Sequence, residues 1–263
     1  MAQKTNDPKL TDYSVTDALA LIDRRFGKDR LLRDLSTPTE RLVTAYYLQS
    51  RWGYERYNPH AAMHMALSDD GKYTHDGLRA QADTVIPETR KIGARRILEL
   101  GCGQAFNARV IAEALPEVEV VATDLNPGMV VLGARLCPEA TWQVAAAGQL
   151  PFGDHSFDLL VCQFGVMFFP DKSAAWADFA RVTRPGGLVL VTTWTDAREH
   201  AYADALVHAV EDVCGEDPPT FVVRVPHGYH DVDELTAGAE AAGLTEVRVH
   251  PVTLQGHAES VAA

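Results

Sequence analysis

Apolar positions along this chain change their period more than once. In the N-terminal third they recur at helical spacing. Ser14-Val15-Thr16-Asp17 reads as a capping box, Val15, Ala18, Leu19, Ile22 and Phe26 share one helix face, and Gly27 ends the run. Thr37-Pro38-Thr39-Glu40 is a stronger start signal, with a cap, a proline in the first turn and a glutamate at the third position. Leu42, Val43, Tyr46 and Tyr47 form the stripe of that helix, and Gly53 closes it. Arg51 to Lys72 reads as a loop rich in aromatics and histidines, among them Trp52, Tyr54, Tyr57, His60 and His64. A further helix is predicted from about Thr74 to Lys91, kinked or restarted at Pro87.

From Arg95 onward short apolar runs alternate with amphipathic ones, the pattern of a parallel sheet with crossover helices. Strands are predicted at Arg95–Leu100, Val118–Thr123, Thr141–Ala145, Phe157–Gln163, Leu188–Trp194 and Thr245–Leu254. Asn126-Pro127 caps one helix and Asp171 another, one that carries Ala175, Trp176, Phe179 and Val182. Pro185-Gly186-Gly187 turns into the fifth strand, and a helix follows from about Ala197 to Val213. After a proline-rich segment, Asp217–Tyr229, Asp231 to Glu234 cap the last helix. The expected fold is a doubly wound α/β domain over residues 93–263, with a helical cap over residues 1–92. No internal repeat or low-complexity tract interrupts it.

Composition narrows the function. The 263 residues can bury a full core, and 46% hydrophobic with 23% charged residues is ordinary for a soluble globular protein. A net charge of −12 with no long Lys/Arg cluster argues against a nucleic-acid partner, because such a surface repels phosphate. Cys102, Cys137, Cys162 and Cys214 are scattered without a C-x-x-C pair, which argues against a zinc site or a disulfide framework and suits a reducing cytoplasm. Met1 to Leu10 lacks the apolar core of a signal peptide. The longest apolar stretch, Phe157–Phe169, is broken by Asp158 and Gln163, so no membrane span is expected.

The chemistry concentrates at Ile97-Leu98-Glu99-Leu100-Gly101-Cys102-Gly103-Gln104-Ala105-Phe106. Here a strand ends in an acid, a glycine turn follows, and a helix begins. Gly101 and Gly103 permit a sharp turn and close approach of a ligand. The dinucleotide fingerprint G-x-G-x-x-G requires a third glycine where Phe106 stands, and Glu99 would repel a pyrophosphate.

The stretch resembles E/D-x-G-x-G-x-G, motif I of the class I S-adenosylmethionine-dependent methyltransferases, with Ala105 in place of the last glycine. Three further stretches join it in order and spacing over roughly residues 93–194. They are Val121-Ala122-Thr123-Asp124-Leu125-Asn126, then Leu150-Pro151-Phe152 with Ser156-Phe157-Asp158, and Arg184-Pro185-Gly186-Gly187. The look is closest to the small-molecule branch that includes the ubiquinone and menaquinone C-methyltransferases. The region around Tyr46-Tyr47, Trp52-Gly53 and Gln81 is loosely similar to sterol, tocopherol and cyclopropane-forming enzymes, where it closes over the cofactor.

The resemblance implies S-adenosylmethionine as cofactor and a small-molecule methyl acceptor. Glu99 would face the ammonium of the methionyl part and Asp124 the ribose hydroxyls. The family often has an Asp on the adenine amine, and here Ala146 occupies that place. The adenine is therefore left to backbone near Ala147 and to packing from Leu125 and Met129. Gln163, at the end of strand four, could touch the methionyl moiety or be a satisfied buried amide. Cys102 reads as a small filler rather than a nucleophile.

Candidates on the acceptor side are His60 or His64 as a general base, Tyr46 facing the cofactor, and His227, Tyr229 and His230 in a lid-like segment around residues 197–230. His60 and His64 are four apart, but no third ligand motif supports a metal pair. Two rivals stay open: a dinucleotide-dependent oxidoreductase, and a non-catalytic protein that binds the same cofactor. Family members carry a seventh, antiparallel strand beside the sixth, but Gln255–Ala263 has no strand pattern. The expectation is that the N-terminal segment or a second subunit of a homo-oligomer fills that edge, or that the native chain is longer.

Overall fold

The computed structural model describes residues 79–253 apart from 104, 216, 217 and 219, together with the backbone of residues 67–68 and 255–256. Residues 1–66 and 69–78 of the expected N-terminal cap, with Tyr46, His60 and His64, lie outside the described residues. Helix α1 (Ala80–Ile92) buries Ala82, Val85, Ile86 and Thr89 on one face and runs through Pro87 without a restart. It ends where Gly93 turns left-handed at φ 60°, and Gly93 and Ala94 donate their N–H groups back to Arg90 and Thr89.

Strand β1 (Arg96–Leu100), α2 (Phe106–Ala114), β2 (Glu119–Asp124), α3 (Pro127–Leu136), β3 (Thr141–Val144), β4 (Phe157–Gln163), α4 (Lys172–Val182) and β5 (Thr183–Thr192) then alternate. The sheet order is β3-β2-β1-β4-β5, with every pairing parallel. The chain winds outward from β1 to β3, then crosses to the other side of β1. This reversal leaves a crevice outside the carboxyl ends of β1 and β4, where open sheets of this kind bind ligands.

The central strands read as continuous apolar runs because they are covered on both faces. Ile97, Leu159 and Val161 pack toward Val85, Ile111 and Leu115. Their neighbours Leu98, Leu100, Leu160 and Cys162 pack toward Trp176 and Phe179. The three caps predicted among the described residues form: Asn126 accepts from Gly128 N–H at 2.8 Å, Asp171 from Ala174 N–H at 2.8 Å and Asp231 from Glu234 N–H at 2.9 Å. Helix α3 is approached so closely by Trp142 that a Cβ at Gly133 would overlap its ring.

Three expectations need correction. The fifth strand starts at Thr183 and stops at Thr192, with a register shift where Arg184 to Gly187 loop outward. The helix expected from about Ala197 to Val213 divides into a 3-10 turn (Ala197–Glu199) and α5 (Ala201–Cys214), and the segment after it holds a single turn, α6 (Phe221–Arg224), before α7 (Val232–Ala241). Most consequentially, the sixth strand, Thr245–Leu254, does not form in its described part. Residues 245–253 run irregularly, with Val249 43% and Val252 70% exposed. Pro251 brings no backbone donor for a ladder. Gln255–Gly256 instead pairs antiparallel with Leu67–Ser68. Among the described residues β5 therefore forms one edge of the sheet.

Candidate cofactor site

Glu99 ends the inner face of β1 at 3% exposure, and its Oε2 has no partner among the described residues. Burial, with a smaller push from the Asp124 charge, raises its pKa to about 8. The turn beyond it is pinned to β2: Gly101 and Cys102 N–H donate to Thr123 O at 2.9 and 3.1 Å, and Thr123 Oγ1 donates to Glu99 O at 3.1 Å. Gly101 (φ 69°), Gly103 (φ 51°) and Ala105 (φ 68°) are all left-handed. Ala105 thus occupies a conformation suited to glycine, at a cost of roughly 1–2 kcal/mol.

Asp124 ends β2 beside this turn. Its Oδ2 accepts from Gly103 N–H at 3.0 Å and its Oδ1 from Asn126 N–H at 2.8 Å. Burial raises its pKa, and those two N–H groups oppose the rise. Each oxygen keeps a lone pair for a further donor. Ala145 N–H donates to Asp124 O at 3.1 Å, which brings the half-buried Ala146 and Ala147 alongside. Leu125 is 50% exposed at the rim, whereas Met129 is packed inside at 1%. The Cys102 thiol is pushed well up by burial and by the Glu99 and Asp124 charges, which keeps it a buried filler.

Gln163 closes the other side. Its Nε2 donates to Gln81 O at 2.7 Å and Thr84 Oγ1 at 3.3 Å, and its Oε1 accepts from Asn107 Nδ2 at 3.1 Å. It brackets α1 and α2 onto β4. Gln81 Nε2 and Asn107 Oδ1 lack partners among the described residues; Gln81 falls in the region of loose family similarity, whereas no motif marks Asn107.

On the acceptor side, Tyr229 is 2% exposed and its hydroxyl accepts from Trp176 Nε1 at 2.9 Å, so it belongs to the core. His227 stands 7% exposed, with Nδ1 2.8 Å from Thr195 O. His230 reaches Asp196, Nε2 to Oδ2, at 3.6 Å. Phe164, Trp194 and His200 gather beside them, and no motif marks these three. Among the described residues no group of three or more His, Cys, Asp and Glu could hold a metal ion, and no helix is long and apolar enough to cross a membrane.

A parallel sheet with a reversal in strand order, a glycine turn against its crevice, and a buried and a half-buried carboxylate there make an α/β protein with a crevice suited to a cationic nucleoside-type cofactor. An orphaned buried carboxylate fits the ammonium and an open-sided aspartate fits a diol, so the residues present suit S-adenosylmethionine. A family model described as a methyltransferase domain matches residues 98–191. A demethylmenaquinone methyltransferase of Renibacterium salmoninarum is 31% identical over 172 residues, covering 62% of this chain and 72% of that protein. One from Paenarthrobacter aurescens is 26% identical over 166 residues, covering 60% and 64%, so the chain spans less than two thirds of that relative. The solved structure of the [4+2]-cyclase SpnF shares the fold at a TM-score of 0.60 and 22% identity, covering 79% of this chain and 73% of that one. The chain belongs to the class I S-adenosylmethionine-dependent methyltransferases, and S-adenosylmethionine is its cofactor.

Proposed function

We propose that the protein transfers a methyl group from S-adenosylmethionine to a small, apolar or ring-containing acceptor. The observation that carries this reading is Glu99, a buried carboxylate beside the crevice whose Oε2 lacks a partner among the described residues. S-adenosylmethionine supplies a methyl already activated on a sulfonium. The chain's own residues bind, align and exclude water, and alignment of this kind is worth roughly 7–11 kcal/mol in favourable reactions. Glu99 pairs with the ammonium. Asp124 accepts from the ribose hydroxyls with the lone pairs that Gly103 and Asn126 leave free. Leu125 and the backbone at Ala146 and Ala147 hold the adenine, with no acidic side chain at position 146 for its amine. Met129 supports that wall from beneath. Gln163 acts by fixing α1 over the crevice.

The names of the two relatives, both demethylmenaquinone methyltransferases, support a ring-bearing acceptor. The aromatic pair Phe164 and Trp194 beside the crevice supports it independently. Tyr46 as a residue facing the cofactor, His60 or His64 as a general base, and the segment 197–230 as a lid that selects the acceptor belong to the same reading. The free cysteines support a cytoplasmic location. A thermal-shift comparison tests the cofactor reading. S-adenosylmethionine and S-adenosylhomocysteine should stabilise the protein by about 2.7 kcal/mol at ~100-fold excess over Kd, while NAD and NADP should not. A shift with NAD alone would overturn it.

A further inference from the structure

The chain leaves β5 through Thr193 to Asp196, and a strap, residues 227–230, returns to that stretch. Thr193 Oγ1 donates to Tyr229 O at 2.7 Å, and His227 Nδ1 stands 2.8 Å from Thr195 O. His230 Nδ1 lies 2.6 Å from His227 O, and its Nε2 lies 3.6 Å from Asp196 Oδ2. Trp194 is fixed from the other side by the Phe164 ring, 4.2 Å away between centroids. Phe164 is left-handed at φ 54°, and its N–H donates to Thr192 O at 2.9 Å. Between the exit from β5 and the strap, residues 197–224 form a small unit of their own. Its described core is Ala197, Ala203 and Val207 with Val222, a cluster separate from the two that flank the sheet. A unit with so little apolar burial can open while the sheet stays folded.

Two imidazoles stand at the ends of this unit, 5.8 Å apart. His200 is the N-cap of α5, and its Nδ1 accepts from Ala203 N–H at 3.3 Å. A proton on that nitrogen removes the acceptor and puts a positive charge at a helix N-terminus, where it is disfavoured. His227 is 7% exposed and presents Nδ1–H to Thr195 O, which can only accept. Burial, first of all, holds His227 below the usual histidine range. The Thr195 carbonyl and the Asp196 carboxylate oppose this, and the imidazoles of His200 and His230 favour it. The Arg198 guanidinium is directed instead onto Asp204 and Glu211, at 3.8 and 3.1 Å. The His230–Asp196 pair gains from protonation, but both its side chains are at least a third exposed, and such pairs contribute little. The sum disfavours a proton on the closed arrangement.

We propose that His200 and His227 form an acid-sensitive catch: with both rings neutral it holds residues 197–224 onto the end of β5, and protonation releases that unit while the sheet stays folded. The catch goes beyond the methyltransferase reading and does not depend on it. His227 contributes to closure fully above its ordinary value of 6.5, and that contribution is lost as pH falls through the lowered one. Each proton taken up on opening weakens closure by up to about tenfold per pH unit. Amide hydrogen exchange of the full, ligand-free chain tests this between pH 7.5 and pH 5.0, with the intrinsic pH dependence of exchange divided out. Protection of residues 201–210 should fall at least about tenfold, while that of β1 and β4 stays within about twofold. The double change His200→Asn with His227→Asn keeps a capping acceptor and a side-chain donor, neither of which titrates. It should hold protection of residues 201–210 within about threefold over the same range. Protection of β1 at pH 7.5 reports that the variant is folded. If it is not, His200→Asn alone should lessen the fall at least about threefold. Protection of residues 201–210 that is independent of pH in the wild type, a fall shared by β1, or a fall of equal size in the folded variant would overturn the catch.

Discussion

In the proposed reading Glu99 stays buried beside Asp124 before the cofactor arrives and carries charge once it does. Its carboxyl, raised to about 8 from an ordinary 4.5, holds its proton in the folded protein over a range where the unfolded chain has lost it. Glu99 therefore contributes stability below an ordinary carboxylate pKa, loses it as pH rises toward 8, and changes little above that. Glu99→Gln removes this loss. The ligand-free variant should melt above the wild type at pH 8.5 by a few degrees, about 2–4 °C per kcal/mol gained. The same residue should release about one proton when an ammonium binds near pH 7. Calorimetry of S-adenosylhomocysteine binding in buffers of different ionisation enthalpy reads this directly. Absence of a buffer dependence would remove Glu99 from the ammonium site. Ala105 offers a second test at this scale. It is 1% exposed, so Ala105→Gly gives up a buried methyl but relieves its left-handed backbone. The two effects offset, and urea unfolding should shift by less than about 0.5 kcal/mol. Ala108→Gly removes a methyl that is 0% exposed from ordinary helix, and should cost about 1–2 kcal/mol.

Individual elements divide the labour of the family motifs between binding and assembly. The glycine turn and Asp124 lie at the carboxyl ends of the strands. Asp158, by contrast, sits near the start of β4, where it accepts from Arg95 and Arg96 N–H at 2.7 and 2.9 Å and pairs with Arg184 Nε. Gly187 is needed there because a Cβ would come within 2.7 Å of Asp158 O. The Leu150-Pro151-Phe152 turn is held in the same spirit: Asp178 accepts from Leu150 N–H at 2.6 Å, and Arg181 donates to Leu150 O and Phe152 O. Burial works against ionisation of Asp158, but the two N–H groups and the Arg184 guanidinium outweigh it and hold its carboxyl below the usual range. Its contribution is therefore present above the unfolded value and is lost as pH falls through the folded one. Asp158→Ala should destabilise the fold by roughly 2–3 kcal/mol at neutral pH, and by progressively less toward pH 3. S-adenosylhomocysteine affinity at 25 °C should stay within about twofold, since the clamp and the crevice lie at opposite ends of the sheet. A large loss of affinity in a folded variant would contradict that division.

At the scale of the whole molecule, stability should grade from the middle of the sheet to its edge. Ile97, Leu98, Leu159, Leu160 and Val161 are 0% exposed, whereas Leu188–Thr192 of β5 remain half-exposed. Among the described residues β5 pairs only with β4, so part of its backbone N–H groups has no ladder partner. Amide hydrogen exchange should be slowest along β1 and β4 and clearly faster at Leu188–Thr192. Protection of β5 equal to that of β1 would mean that another segment or subunit covers this edge.

Local chemistry dictated much of this protein. Apolar runs bounded by turn residues located all five strands of the main sheet, four to within a residue or so at each end and the fifth without its start at Thr183. Asn126, Asp171 and Asp231 announced their helices because a short polar side chain before an amphipathic run satisfies the first free N–H groups. The acid-glycine turn pointed to the cofactor through its resemblance to a family motif, and the acid at the strand end agrees with that ligand's ammonium. Other features depended on distant contacts and carried no local mark. Thr245–Leu254 has the alternation of a strand, yet a strand exists only where a neighbour offers a ladder. Gln163 had two readings open, and its three hydrogen bonds to Gln81, Thr84 and Asn107 come from segments far apart in the chain. The left-handed Phe164, and the settings of the His200 and His227 rings, depend on single backbone groups supplied by Thr192, Ala203 and Thr195. Such partners are set by tertiary packing, since hydrogen bonds between remote residues leave no periodicity in the chain that makes them.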